Sequence, residues 1–133
     1  MKGLFKRFFR IKIIKARRGK GKRSLYLKYK EQARELAHRK VDEYSKIYNV
    51  TYNRIAIRNQ RTRWGSCSRR GNLNFSYKIA LLPEELSDYI IVHEVCHLGE
   101  FNHSKNFWNL VAQTIPNHEE LRKKLNKVGM TLD

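Results

Sequence analysis

The sequence predicts an α+β domain, and three observations carry that expectation. Apolar residues recur at a period of two around residues 55–57 and 73–79, and near 3.6 before and after that stretch. Pro83, Gly99, Pro116 and Gly129 punctuate the second half at helix-length intervals. With 133 residues, 41% of them apolar, the chain suits one domain around one modest core. The expected organisation is a basic N-terminal arm or hairpin over residues 1–29, then a folded domain over residues 30–133.

Residues 1–30 hold thirteen Lys or Arg and no Asp or Glu. The formal charge of the whole chain is +17, so the rest keeps a net of only +4. Ile11 and Ile13, then Leu25, Leu27 and Tyr29, alternate around the glycine-containing "RRGKGK". That reads as a basic β-hairpin, with a disordered basic arm as the alternative. From Lys30 to Tyr48 the period turns helical: Tyr29, Ala33, Leu36, Ala37, Val41, Tyr44 and Ile47 form one stripe.

"RIAIR" around Ile55 and Ile57 reads as a strand, followed by the polar loop "NQRTRWGSCSRRGN". A second strand places Leu73, Phe75, Tyr77 and Ile79 on one face, and the two strands are expected to pair antiparallel. Pro83 opens a helix whose first turn sets Glu84 and Glu85 against the positive end of the helix dipole, and Gly99 stops it. A helix over residues 105–115 has Ser104 as its cap and Pro116 beyond its end. The last begins near Asn117, puts Leu121, Leu125 and Val128 on one face, and ends at Gly129.

No stretch approaches the roughly 20 apolar residues of a membrane span, and the basic N-terminus lacks the apolar run and cleavage site of a secretory signal. Cys67 and Cys96 are too few for a disulfide framework and read as thiols of a cytoplasmic protein.

The chemistry concentrates in "HEVCHLGEFNH", residues 93–103. On a helix, His93 and His97 lie one turn apart on one face, where both rings reach a single ion. Glu94 is rotated from His93 by about 100°, so it stands beside the ion without ligating it. Cys96 points a similar angle away from His97, which makes it a weak ligand candidate. A catalytic zinc takes three protein ligands and leaves one position open. Gly99 lets the chain turn back, and His103 is the preferred third ligand, with Glu100, His118, Glu119 and Glu120 as alternatives. A shuffled chain of this composition would contain His-Glu-x-x-His only about 0.01 times, so chance does not explain it. Glu94 also sits in an apolar run, where a carboxylate needs a reason to be.

Three blocks accompany the motif: "TRWGSCS" (62–68), "GNLNFSYKIALLP" (71–83) and "DYIIVHEVCHLGEFNHSKNFW" (88–108), followed by a helix. In this order and spacing the chain resembles the YgjP-like zinc metallopeptidases, distant relatives of the SprT-like proteases, over roughly residues 30 to 128. The resemblance implies a zincin-like fold, with a small antiparallel sheet packed against the active-site helix and further helices. It implies one zinc per chain on His93, His97 and His103, Glu94 as catalytic acid/base, and peptide or protein substrates. There are two departures. Cys96 stands where the family usually has a small residue, and the family usually carries a longer β-rich region ahead of the catalytic part. The metzincins share the six-residue step between the second and third histidines. They place their glycine three residues after the second histidine, however, whereas Gly99 comes two after His97.

On this reading Glu94 takes a proton from water activated at the zinc and passes it to the leaving amine. An extended substrate would pair with an edge strand, the Leu73–Ile79 segment being the candidate. Arg63 is a candidate contact to developing negative charge. Trp64 reads as core and Gly65 as a turn. Phe107 and Trp108 read as core residues that anchor His103, and Tyr89, one turn before His93, reads either as a support to the metal ligands or as simply packed. Two other functions compete: a metal-dependent hydrolase of nucleotides, of pyrophosphatase type, and a nucleic-acid-binding module with a secondary zinc site. For the second, Lys12, Lys15, Arg17, Arg18, Lys20, Lys22 and Arg23 would meet phosphates, and Phe5, Phe8, Phe9 and Tyr26 would stack on bases.

Overall fold

The computed structural model describes residues 20–132. These residues form four α-helices and a three-stranded mixed sheet, an α+β arrangement.

Helix α1 spans Lys20–Tyr48. Its first half corrects the hairpin expectation, because residues 25–29 are helical. Leu25 and Tyr29 continue the four-residue spacing of Ala33, Ala37 and Val41, and all five pack on the core. Leu27, the middle member of the apparent alternation, is 52% exposed. Three apolar residues at spacing two had therefore mixed two on-face positions with one off-face. Ile11 and Ile13 lie outside the described residues. Asn49 takes a left-handed backbone (φ 53°) immediately after α1, a conformation asparagine tolerates.

Strands β1 (Arg54–Arg58), β2 (Gly65–Cys67) and β3 (Asn72–Ser76) are arranged in the order β1-β3-β2. β1 and β3 pair parallel, with Ile55 opposite Leu73 and Ile57 opposite Phe75, which overturns the antiparallel expectation. The reason lies in the polar loop. It contains β2, which crosses to the far side and returns antiparallel into β3. The β2–β3 turn is closed by Gly71 N–H donating to Ser68 O at 3.0 Å, with Gly71 at φ 82°. β3 is therefore the central strand, and its continuation is not a strand. Residues Tyr77–Leu81 form a 3₁₀ turn, capped by Ser76, whose Oγ accepts from Lys78 N–H at 3.2 Å. Every residue from Phe75 to Ile79 is buried, so the period-two signal ends at Phe75.

Helix α2 (Glu84–His97) is buried on nearly every side from Leu86 onward. It packs against α1, the 3₁₀ turn, β2, α3 (Lys105–Thr114) and α4 (His118–Asn126). Its all-round apolar character belongs to a helix at the centre of a domain. Pro83 sits just before α2, and Ser104 caps α3 as expected, its Oγ accepting from Phe107 N–H at 3.4 Å. Leu121, Leu125 and Val128 are buried, and Gly129 (φ 84°) turns the chain after α4. Gly99 departs from expectation: it has no positive φ, and a Cβ there would meet neighbours only at ordinary distances of 3.8–3.9 Å. The end of α2 is held instead by Glu100 N–H, which donates to Cys96 O at 3.0 Å. No helix among the described residues is long and apolar enough to cross a membrane.

Candidate metal centre

His93 and His97 project from the last turns of α2, and His103 comes from the loop that leads to the Ser104 cap of α3. The first two are buried and His103 is exposed. Their three Nε2 atoms form a triangle with all edges at 3.2 Å. Hydrogen bonding does not account for such a triangle, since a neutral Nε2 either donates or accepts along one direction. A tetrahedral ion bonded at 2.0–2.1 Å would hold its nitrogens about 3.3–3.4 Å apart, so the donor set fits zinc closely. Glu100 carbonyl lies 3.0 Å from His97 Nδ1 and accepts a hydrogen bond from it, which places the unprotonated nitrogen at Nε2, the atom that would ligate.

The rings are fixed from outside by aromatic packing. Phe107, fully buried, stacks on His97 at 4.4 Å between centroids and meets His93 and His103 edge-on. Trp108 stacks on His103 at 5.9 Å and on His118 at 5.1 Å. His118 stacks on Trp108 and is not one of the clustered ligand atoms. Among the described residues, the one group of three metal-capable side chains is His93, His97 and His103.

Glu94 is fully buried, and β2 lies against it. A Cβ on Gly65 would come within 3.2 Å of Glu94 Cγ and Oε2 and 3.1 Å of Asn74 O. Gly65 is a β2 residue, and its lack of a side chain makes room for the Glu94 carboxylate; this replaces the expected turn role. Asn74 ties the three strands together: Arg58 Nε donates to its Oδ1 at 3.1 Å, and its Nδ2 donates to Ser66 Oγ at 3.3 Å. Trp64 is fully buried, as expected.

The cleft beside the triad has a volume of about 540 Å³ and is lined by His93, His103, Tyr89, Trp108, Arg122 and Lys123. Thr131 and Leu132 close its rim, and Thr131 pairs with Arg63 in an isolated parallel bridge. Arg63 itself is exposed and is not part of the lining. The cations that do line it, Arg122 and Lys123, were missed from the sequence, and Arg122 is the one that also meets Trp108. It sits five residues beyond Asn117 on a short polar helix, and only the packing of α4 on α2 brings it here. Burial pushes the Tyr89 hydroxyl up to about 12, with the Arg122 charge drawing it back.

Cys96, the weak ligand candidate, does not join the triad: it is buried and hydrogen-bonded with the Tyr48 hydroxyl, and burial raises its pKa to about 12. The same hydroxyl donates to Leu110 O at 2.6 Å, which joins α1 to α3. Of the proposed nucleic-acid contacts, Lys12, Lys15, Arg17, Arg18, Phe5, Phe8 and Phe9 lie outside the described residues. Lys20, Lys22 and Arg23 fall in the first turns of α1. Tyr26 is half-buried and packs edge-on against Tyr77 at 5.7 Å.

The model of the YgjP-like family, metallopeptidase domain, matches residues 11–128. The chain belongs to the YgjP-like metallopeptidase family. Two solved structures share the fold of this YgjP-like chain. One is the metallopeptidase zymogen of Pyrococcus abyssi abylysin, with a TM-score of 0.66 and 21% identity, covering 73% of this chain and 99% of that one. The other is the metallopeptidase zymogen of Methanocaldococcus jannaschii jannalysin, with a TM-score of 0.59 and 22% identity, covering 68% and 94%. No curated protein matches the chain. Family membership makes it a metallopeptidase.

Proposed function

We propose that the chain is a zinc-dependent peptidase in which His93, His97 and His103 hold the metal and Glu94 moves the proton. The observation that carries this reading is the equilateral Nε2 triangle beside a buried carboxylate. When bound, zinc would supply Lewis-acid polarisation of the scissile carbonyl and a lowered pKa for a water molecule.

The chain's own residues supply the rest. The Glu100 carbonyl sets the His97 tautomer, and Phe107 holds all three rings in place. Glu94, walled in by Gly65 and the apolar run of α2, accepts a proton from the attacking water and returns it to the leaving amine nitrogen. The extended substrate lies along β2 rather than along the Leu73–Ile79 segment first expected. Both edges of β3 are taken by β1 and β2, whereas β2 is an edge strand and runs past Glu94. A cytoplasmic location fits the two cysteine thiols.

The test is Glu94→Gln. It should keep one zinc per chain by elemental analysis and lose peptide hydrolysis by at least about a hundredfold. A variant with full turnover would refute the assignment of Glu94.

A further inference from the structure

The cleft beside the histidine triad carries positive charge. Arg122 and Lys123 line it, and among the described residues no carboxylate does. Of the neighbouring acids, Glu120 and Glu85 meet Lys124 at 3.2 Å and 3.6 Å, and Glu119 lines an adjoining cavity together with Arg122, His118 and Lys105. Among the described residues no carboxylate pairs with Arg122.

The guanidinium is also held in place. Arg122 Cζ lies 5.7 Å from the centroid of the Trp108 ring, and Trp108 stacks in turn on His103. Cation–π contact on a fixed indole orients a planar cation without neutralising it. Tyr89 lines the same cleft with a buried hydroxyl that has no hydrogen-bond partner among the described residues. A buried donor left unsatisfied calls for an explanation, and a ligand oxygen would provide one. A divalent ion on the triad would add further positive potential.

We infer that this cleft is a carboxylate-binding subsite, in which Arg122, backed by the Tyr89 hydroxyl, receives either an acidic side chain or the free C-terminus of the peptide. This names the substrate class of the peptidase reading above and rests on it. Arg122 is a specificity residue here, with Lys123 adding long-range attraction.

The test is binding of short tryptophan-free peptides to the zinc-loaded full chain carrying Glu94→Gln, followed by tryptophan fluorescence. One peptide has an internal Glu and an amidated C-terminus, the second has Gln with the amide, and the third has Gln with a free C-terminus. At least one carboxylate peptide should bind about fivefold to tenfold tighter than the Gln amide. Whichever of the two gains identifies the source of the carboxylate. The gap should shrink in about 1 M salt, collapse when Arg122→Gln is added, and survive largely with Arg122→Lys. Arg122 is exposed, so neither change threatens the core. Equal affinity for all three peptides, or a gap that Arg122→Gln leaves intact, would overturn the inference. Cleavage of the same peptides by the chain with Glu94 intact is read separately. Carboxylate-dependent binding with no cleavage would refute the peptidase reading and leave the subsite standing.

Discussion

Gly65→Ala tests how the active-site carboxylate is seated. The added Cβ would lie 3.1 Å from Asn74 O and 3.2 Å from Glu94 Cγ and Oε2. Ordinary carbon contacts are about 3.5–4.0 Å, so something must yield by several tenths of an ångström. Asn74 O is backbone in the central strand, with Asn74 paired to Ala56 on one side and Ser66 on the other, and it has little freedom to move. Glu94 must therefore give way, within a shell that has no spare volume. Overpacking of this kind costs about 1–3 kcal/mol of stability. A displaced general base costs more in rate, up to about a hundredfold for a shift near 1 Å. Three measurements on one preparation separate the effects: urea denaturation, zinc content and peptide turnover. We expect stability lowered, zinc retained at one per chain and turnover sharply reduced. Wild-type stability together with wild-type turnover would refute the steric argument. Loss of zinc would show instead that the strain spreads to His93 or His97.

Two other outcomes follow from the geometry. His103→Ala removes one corner of the triangle and should lower zinc affinity at least tenfold, measured by chelator competition; unchanged affinity would exclude His103 as a ligand. Lys40→Met breaks the link between α1 and α2, where Nζ lies 3.0 Å from Glu84 Oε1 and 3.2 Å from Asp88 Oδ1. Burial works to lower the Lys40 pKa, but the two carboxylates outweigh it, so the folded value stands above the ordinary lysine value. Its contribution is then fully present below the unfolded lysine pKa and is lost as pH rises through the folded one. The Asp88 carboxyl is pushed up by burial in spite of Lys40, so the net worth of the pair is small. The variant should be about 1 kcal/mol less stable at neutral pH, and the difference should fade in strongly alkaline urea titrations. A pH-independent difference would mean that packing, not charge, is responsible.

What the sequence determined by itself was everything set within one element. Helical spacing put His93 and His97 on one face and turned Glu94 aside. Ser104, Pro116 and Gly129 marked helix ends that the structure shares, because capping and left-handed turns are decided by a few neighbouring residues. The blocks around the motif were specific enough to point to the family. Tertiary structure decided whatever depended on residues far apart in the chain. Glu100, His103 and His118 were all within reach of the triad as sequence. In the fold His103 packs on Phe107 and Trp108 within the triad, Glu100 offers its carbonyl to His97, and His118 stacks on Trp108 without joining the triad. A three-residue strand is too short to show a period, so β2 stayed hidden in a polar loop, and with it the parallel pairing of β1 and the purpose of Gly65. Leu25, Leu27 and Tyr29 fit both periods, and burial against the core broke the tie toward helix. Arg63 and Arg122 are equal as letters. Only the packing of α4 beside α2 makes Arg122 the one that faces the cleft, because a charge acts where the fold carries it.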